Sequence, residues 1–273
     1  MAAPPYIETV LDIARAAGRE ILDVYGAGGG DVTQKSDASP LTEADLRAHR
    51  LIVRGLSALT PDWPILSEEA SDIDFVTRAS WSRYWLVDPL DGTKEFISRN
   101  GEFTVNIALI EGHRPTFGVV HVPVRDVDYW GQPGVGAWRR VGTAPPDAIA
   151  VTTTLGASVR IAGSRSHRGN SLEGFLAGVG AHEFVEMGSS LKFCLIAEGG
   201  ADVYPRLGPT SEWDTAAGHA VLGGAGGVVL RLDGTPLTYN TRESLLNPFF
   251  LAYGSAARDW LALLGTVDGG AAG

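Results

Sequence analysis

Cysteine is nearly missing from this chain, with one residue, Cys194, in 273. A single thiol excludes an intramolecular disulfide and a cysteine-based zinc site. Within Leu191-Lys192-Phe193-Cys194-Leu195 it reads as a small buried hydrophobe rather than a nucleophile. The six histidines are dispersed and contain no HExxH pair, so they make no zinc site either. No apolar run reaches the ~18 residues that a membrane span requires. The first residues, Met1-Ala2-Ala3-Pro4-Pro5, lack the basic region followed by an apolar one that marks a signal peptide. A soluble cytoplasmic protein is expected, with peripheral attachment to the inner membrane left open. Basic side chains are in deficit, 22 against 32 acidic, for a formal charge of −10. Such a surface repels phosphate backbones and argues against a nucleic-acid partner. It would repel a small anionic substrate too, unless cations reverse the field at the site, so part of the acid excess reads as metal ligand.

What is present is ordinary globular material, 44% hydrophobic and 20% charged, enough for a sizeable core. Ile7, Val10, Leu11, Ala14, Ala17, Ile21 and Val24 form one stripe of an amphipathic helix. The glycines from Gly26 to Gly30 close it; they follow a helix and lack GxxxxGK[ST], so they read as a flexible turn rather than a phosphate loop. A second helix is expected from Thr42 to about Leu59, with Leu46, Val53 and Leu56 inward. Short strands follow at Pro64 to Leu66 and Tyr84 to Val87. Thr104 to Ile110 and Thr116 to Val122 flank a hairpin turn, and Tyr129-Trp130 and Ala137-Trp138 suggest another strand pair. The stretch Gly142 to Pro146 reads as the boundary between an N-terminal α+β subdomain, 1–145, and a C-terminal α/β subdomain, 146–273. In the second part strands at Ser158 to Ala162, Glu183 to Met187 and Asp202 to Tyr204 alternate with helices near Ser171 to Gly178, Ser190 to Glu198 and Glu212 to Leu222. The tail, Gly269 to Gly273, is expected to be disordered.

The densest chemical signal is Trp85-Leu86-Val87-Asp88-Pro89-Leu90-Asp91-Gly92-Thr93. An apolar run delivers Asp88 to a strand end, and Pro89, lacking a ladder donor, should stop the strand there. Asp88, the Leu90 carbonyl and Asp91 offer hard oxygens to a hard cation such as magnesium. A strand-terminating Asx turn would use the same residues. Thr93 opens a short helix and can act as an N-cap or hold a water or phosphate. Leu66-Ser67-Glu68-Glu69 sets two adjacent acids after a strand, and only one of them should face any site. Thr42-Glu43-Ala44-Asp45 fits a capping box, and equally an acid that takes a proton from water. Asp214, in Trp213-Asp214-Thr215-Ala216-Ala217-Gly218, suits a helix dipole or a metal. Arg165 with its neighbours Ser164, Ser166 and His167, Lys192 and Arg206 are cation candidates for an anionic ligand, or solvated surface charges.

Together, Ser67-Glu68-Glu69, Asp88-Pro89-Leu90-Asp91-Gly92-Thr93 and Trp213-Asp214-Thr215-Ala216-Ala217-Gly218 closely resemble the signature of the lithium-sensitive, magnesium-dependent sugar and nucleotide phosphatase superfamily. The order matches, and the resemblance runs from about Tyr6 to Asn247. Lys94-Glu95-Phe96, Arg99-Asn100-Gly101-Glu102-Phe103-Thr104, Gly188-Ser189-Ser190-Leu191-Lys192 and Tyr204-Pro205-Arg206 are similar to its bisphosphate-nucleotidase branch rather than to the inositol monophosphatases proper. The resemblance implies a layered αβαβα sandwich and two or more magnesium ions on Glu68, Asp88, the Leu90 carbonyl, Asp91 and Asp214. It also implies catalytic help from Asp45, Thr93 and Glu68, phosphate contact by Gly92 and Thr93, and nucleotide contact by Ser189, Lys192 and Arg206. The substrate it implies is 3′-phosphoadenosine 5′-phosphate, with inositol monophosphate or a related sugar phosphate as the alternative. A non-catalytic metal- and nucleotide-binding protein is the reading from another class; retention of every acid speaks against it. Oligomeric state is not legible.

Overall fold

The computed structural model describes residues 6–28, 32–34, 40–164, 170–254 and 258–264. Helix α1 (Ile7–Gly26) is followed by a two-stranded antiparallel ribbon, β1 (Val32–Gln34) with β2 (Pro40–Thr42), and by α2 (Glu43–Leu59). The α1 stripe is buried as the periodicity requires. In α2 Leu56 is inward as expected, but it is joined there by Ala44, Ala48 and Ile52, while Leu46 and Val53 are only partly covered. Small residues win that face because α1 lies close: a side chain on Gly55 would start 2.8 Å from Ile13.

A seven-stranded sheet comes next, in the order β3 (Ile65–Ser67), β4 (Arg83–Asp91), β5 (Thr104–Glu111), β6 (Arg114–Val122), β7 (Val127–Gln132), β8 (Gly136–Val141) and β9 (Asp147–Ile149). Only β3 and β4 are parallel, joined through the short helix α3 (Phe75–Ala79). Strand β4 does not stop at Pro89 as expected. Its register shifts between Asp88 and Asp91, and the bulge absorbs the missing N–H while the strand resumes at Asp91 opposite Thr104. Gly112 and His113, both with positive φ, make the tight turn between β5 and β6. The last strand, β9, lies beyond the expected boundary at 145 yet still pairs with β8, so the change of sheet falls between Ile149 and Val159.

The second sheet has five strands, ordered β11 (His182–Glu186), β10 (Val159–Gly163), β12 (Val203–Arg206), β14 (Phe250–Tyr253) and β13 (Val228–Arg231). Its β10, β11 and β12 are parallel, with α5 (Asn170–Val179) and α6 (Leu191–Ala197) in the connections; β13 and β14 pair antiparallel. Helix α7 (Trp213–Gly224) precedes β13.

Three cores show the layering. One joins α1 and α2 to Trp85, Val87, Val105, Ile107 and Phe117 on one face of the large sheet. A second joins Tyr84, Leu86, Ala108 and Val120 on the other face to α6, α7 and one face of the small sheet. A third joins Ile161, Val203 and Leu251 on the outer face of that sheet to Phe175 and Val179 of α5 and to Trp260. Alternation along single strands thus sends neighbours to opposite layers, giving helix, sheet, helix, sheet, helix. The middle layer is thin: a side chain on Gly118 of β6 would begin 2.5 Å from the Ala217 carbonyl of α7. Cys194 is buried in α6, and burial pushes its thiol pKa up, as befits a packing residue. Arg165, Ser166 and His167, Gly29 and Gly30, and the glycine-rich tail lie outside the described residues.

Candidate active site

Three elements converge on one cavity. The end of β4 brings Asp91; the entry to α6 brings Ser189, and its first turn Lys192; the start of α7 brings Asp214. The cavity is lined by Asp91, Gly92, Glu95, Lys192, Arg206 and Asp214, among others.

The acids act on one another. Asp88 is 1% exposed, and burial first, then Glu68, Asp91 and Asp214, pushes its carboxyl well above the usual range. Burial, Asp91 and Glu68 push Asp214 up in the same way. Asp91 is raised by burial, against the pull of Lys192 and of its hydrogen bonds with Ser190 and Asn106. Glu68, at the end of β3, is therefore the member of the Glu68-Glu69 pair whose charge reaches Asp88 and Asp214. Backbone amides pin the carboxylates: Asp91 Oδ2 accepts the Ser190 N–H at 2.6 Å, Asp214 Oδ2 that of Ser211 at 2.9 Å, and Asp88 Oδ1 that of Leu90 at 3.0 Å.

Among the described residues, no three His, Cys, Asp or Glu side chains close around one point as a finished metal cage would. The mutual repulsion of buried carboxylates, not a closed cage, marks the site. The donor set of Glu68, Asp88, Asp91, Asp214 and the Leu90 carbonyl is hard oxygen throughout and carries more negative charge than Lys192 can offset. Chemistry of that kind fits a hard divalent cation.

Of the two readings of Asp45, the capping box is seen directly. Its Oδ2 accepts the Thr42 N–H at 2.8 Å and the Thr42 hydroxyl at 2.5 Å, closing the capping box on α2. Its Oδ1 faces the Thr93 hydroxyl at 3.4 Å, which lies equally 3.4 Å from the Leu90 carbonyl. Thr93 is the first residue of α4 (Thr93–Ile97), not its cap; Gly92, at φ 91°, holds the cap position in a conformation that favours glycine.

In the same cavity, Lys192 is 6% exposed and donates to the carbonyls of Ser189 at 2.7 Å and Met187 at 3.2 Å. An ammonium has three hydrogens, so one remains for a ligand. Burial lowers its pKa to about 8, opposed by Asp91. Arg206 lines the same cavity and spends donors on the carbonyls of Gly208 and Pro209. Ser189 sits at φ 45° with its hydroxyl buried and, among the described residues, without a hydrogen-bond partner. A buried polar group left unpaired is costly, and here it borders the cavity.

Sequence reasoning missed Asn106 and the side chain of Ser190. Asn106 Nδ2 lies 3.2 Å from Asp91 Oδ2 and 2.9 Å from Ser190 Oγ, and Ser190 Oγ donates to the Asp214 carbonyl at 2.6 Å. They tie β4 and β5 to α6 and α7. An amide flanked by Val105 and Ile107 in a fully buried strand was the available signal.

The inositol monophosphatase family model matches residues 4–262. The 3′(2′),5′-bisphosphate nucleotidase CysQ of Escherichia coli is 49% identical over 254 residues, covering 89% of this chain and 98% of the relative. CysQ of Haemophilus influenzae is 37% identical, covering 94% and 96%. The crystal structure of CysQ from Bacteroides thetaiotaomicron superposes with a TM-score of 0.79 at 40% identity, over 91% of this chain and 96% of that one. The Thermotoga maritima IMPase, 22% identical with a TM-score of 0.76, shares the fold over 96% of this chain and 97% of its own. By the extent of these matches, the chain belongs to the inositol monophosphatase family.

Proposed function

We propose that this chain is a magnesium-dependent phosphatase that removes the 3′-phosphate of 3′-phosphoadenosine 5′-phosphate, yielding AMP and phosphate. The observation that carries this reading is a cavity lined together by the carboxylates Asp91 and Asp214, the second of them raised by burial and its acidic neighbours, and by Lys192, Arg206 and Ser189, whose buried hydroxyl has no hydrogen-bond partner among the described residues. Kinship with relatives named as bisphosphate nucleotidases supports the substrate.

Glu68, Asp88, Asp91, Asp214 and the Leu90 carbonyl would hold two or more magnesium ions. When bound, these would neutralise phosphate charge and acidify water. The chain's own part begins with Asp45, fixed at Oδ2 by Thr42 so that Oδ1 faces Thr93. Thr93 and Asp45 can thereby take the proton that water gives up as its oxygen bonds to phosphorus. The P–O ester bond breaks, and the leaving ribose oxygen takes a proton from solvent water, to which Asp45 gives up the one it accepted. Gly92 and Thr93 contact the scissile phosphate, while Lys192, Arg206 and Ser189 hold the second phosphate and position the nucleotide. Inositol monophosphate carries no second phosphate and would leave Lys192 and Arg206 without that partner, so the bisphosphate is favoured.

No described helix is long and apolar enough to cross a membrane; we infer a cytoplasmic enzyme acting on a diffusible nucleotide. The test is phosphate release from the bisphosphate nucleotide and from inositol 1-phosphate side by side, with and without magnesium, then with lithium. Magnesium-dependent release, faster from the nucleotide and inhibited by lithium, is expected. Faster release from inositol 1-phosphate would overturn the substrate, and release without any divalent cation would overturn the metal.

A further inference from the structure

Beside the acids proposed as metal ligands, one further side chain in the cavity has the wrong charge for a phosphate site. Glu95 lines it beside Asp91 and Lys192, half-buried. Its stem lies against Gly188, where an added side chain would begin 2.8 Å from Cγ, and its Oε2 comes back to within 3.3 Å of the corresponding point on Gly92. The carboxylate is thus aimed along the backbone that follows Asp91. Among the described residues the carboxylate accepts no hydrogen bond and makes no ion pair; Lys192 feels its charge at longer range.

A carboxylate at that position repels a bound phosphate and gains nothing from it. It becomes favourable only if the substrate presents a donor next to the phosphate. In a ribonucleoside 3′- or 2′-phosphate, the neighbouring hydroxyl is such a donor, attached one carbon from the ester oxygen. Both isomers carry one, which accords with the 3′(2′) designation of the relatives. The adenine ring lies farther from the scissile group and is the poorer match for a carboxylate beside Gly92.

We propose that Glu95 is a specificity residue that accepts a hydrogen bond from the hydroxyl vicinal to the scissile phosphate, making the site selective for phosphate esters of vicinal diols. This rests on the phosphatase reading above. A hydrogen bond from a hydroxyl to a carboxylate discriminates by ~10–100-fold, because its loss leaves the charged partner unpaired.

The experiment compares kcat/KM for adenosine 3′,5′-bisphosphate and its 2′-deoxy analogue on the wild type, Glu95→Gln and Glu95→Ala. Each ratio is taken on one protein sample, so any inactive fraction cancels. The wild type should prefer the ribonucleotide by about tenfold or more, and the preference should fall towards unity in Glu95→Ala. Glu95→Gln, which keeps an acceptor but no charge, should fall between them. A role confined to steadying Lys192 would slow both substrates alike and preserve the ratio; that result overturns the proposal, as does a wild type indifferent to the hydroxyl. Failure of the wild type to release phosphate from either nucleotide is a separate outcome, which defeats the phosphatase reading and this inference with it.

Discussion

At the scale of single residues, Asp91 offers the sharpest test. Its Oδ2 is held by the Ser190 amide and Asn106, while burial pushes its carboxyl up. Asp91→Asn keeps the shape and removes a charge from a buried cluster of like charges. Loss of groups behind a metal ligand costs ~10–100-fold, so replacing Asp91, a ligand in the proposed function, should lower phosphate release by more than about a hundredfold. Relief of repulsion works the other way on stability. In chelator the variant should therefore melt at or above the wild-type temperature. Near-normal turnover would remove Asp91 from the machinery, and a lower Tm would contradict the electrostatic account. The motif that marks Asp88 and Asp91 is local and was legible. Asn106 and Ser190 were not, because their roles depend on contacts across 84 residues of sequence that spacing cannot reveal. Asp45 was legible only as an ambiguity; its two oxygens serve the cap and Thr93 separately.

At the scale of elements, strongly periodic segments were legible and weakly periodic ones were not. The α1 stripe and the β5–β6 hairpin appear where alternation puts them. Strands β9, β13 and β14 went unread: the first two are short and partly exposed, and β14 gains its place only by pairing between β12 and β13. Pro89 misled because the breaker rule applies to a regular ladder, whereas a bulge removes the need for its donor. On α2 Leu56 faces inward as expected, but Leu46 and Val53 do not, because the face that meets α1 also carries the small residues Ala44 and Ala48 that a close helix pair needs. The same logic governs α7, whose small residues let it lie on β6. Gly118→Ala would place a methyl 2.5 Å from the Ala217 carbonyl and 2.9 Å from its Cα, and neither backbone atom can turn away. Overpacking of this kind costs ~1–3 kcal/mol. Chemical denaturation should show that loss, and because α7 carries Asp214, the apparent magnesium affinity should weaken as well. Unchanged stability would mean that the two sheets are less tightly spaced than described.

At the scale of the whole molecule, the middle helical layer joins both sheets, so what destabilises it destabilises everything. His219 of α7 is half-buried there, its Nδ1 3.0 Å from the Tyr239 hydroxyl. Burial, with help from Arg114, lowers its pKa from 6.5 to about 4. The folded protein therefore keeps this imidazole neutral at a pH where the unfolded chain would protonate it. Between about 6.5 and 4 the unfolded state binds the extra proton, so stability falls as pH falls through that window and is fully present above it. The slope that one such group can add is at most ~1.4 kcal/mol per pH unit. His219→Gln keeps an acceptor for the Tyr239 hydroxyl but has no proton to gain. Unfolding free energy measured by denaturant from pH 7 to pH 4.5 should decline less steeply in the variant, with the two curves parallel above about pH 7. Other carboxylates, Asp128 among them, also weaken the fold in acid, but they are common to both proteins and cancel in the difference. Parallel curves throughout would show that His219 is already charged in the folded state, and that the layer between the sheets is wetter than its packing implies.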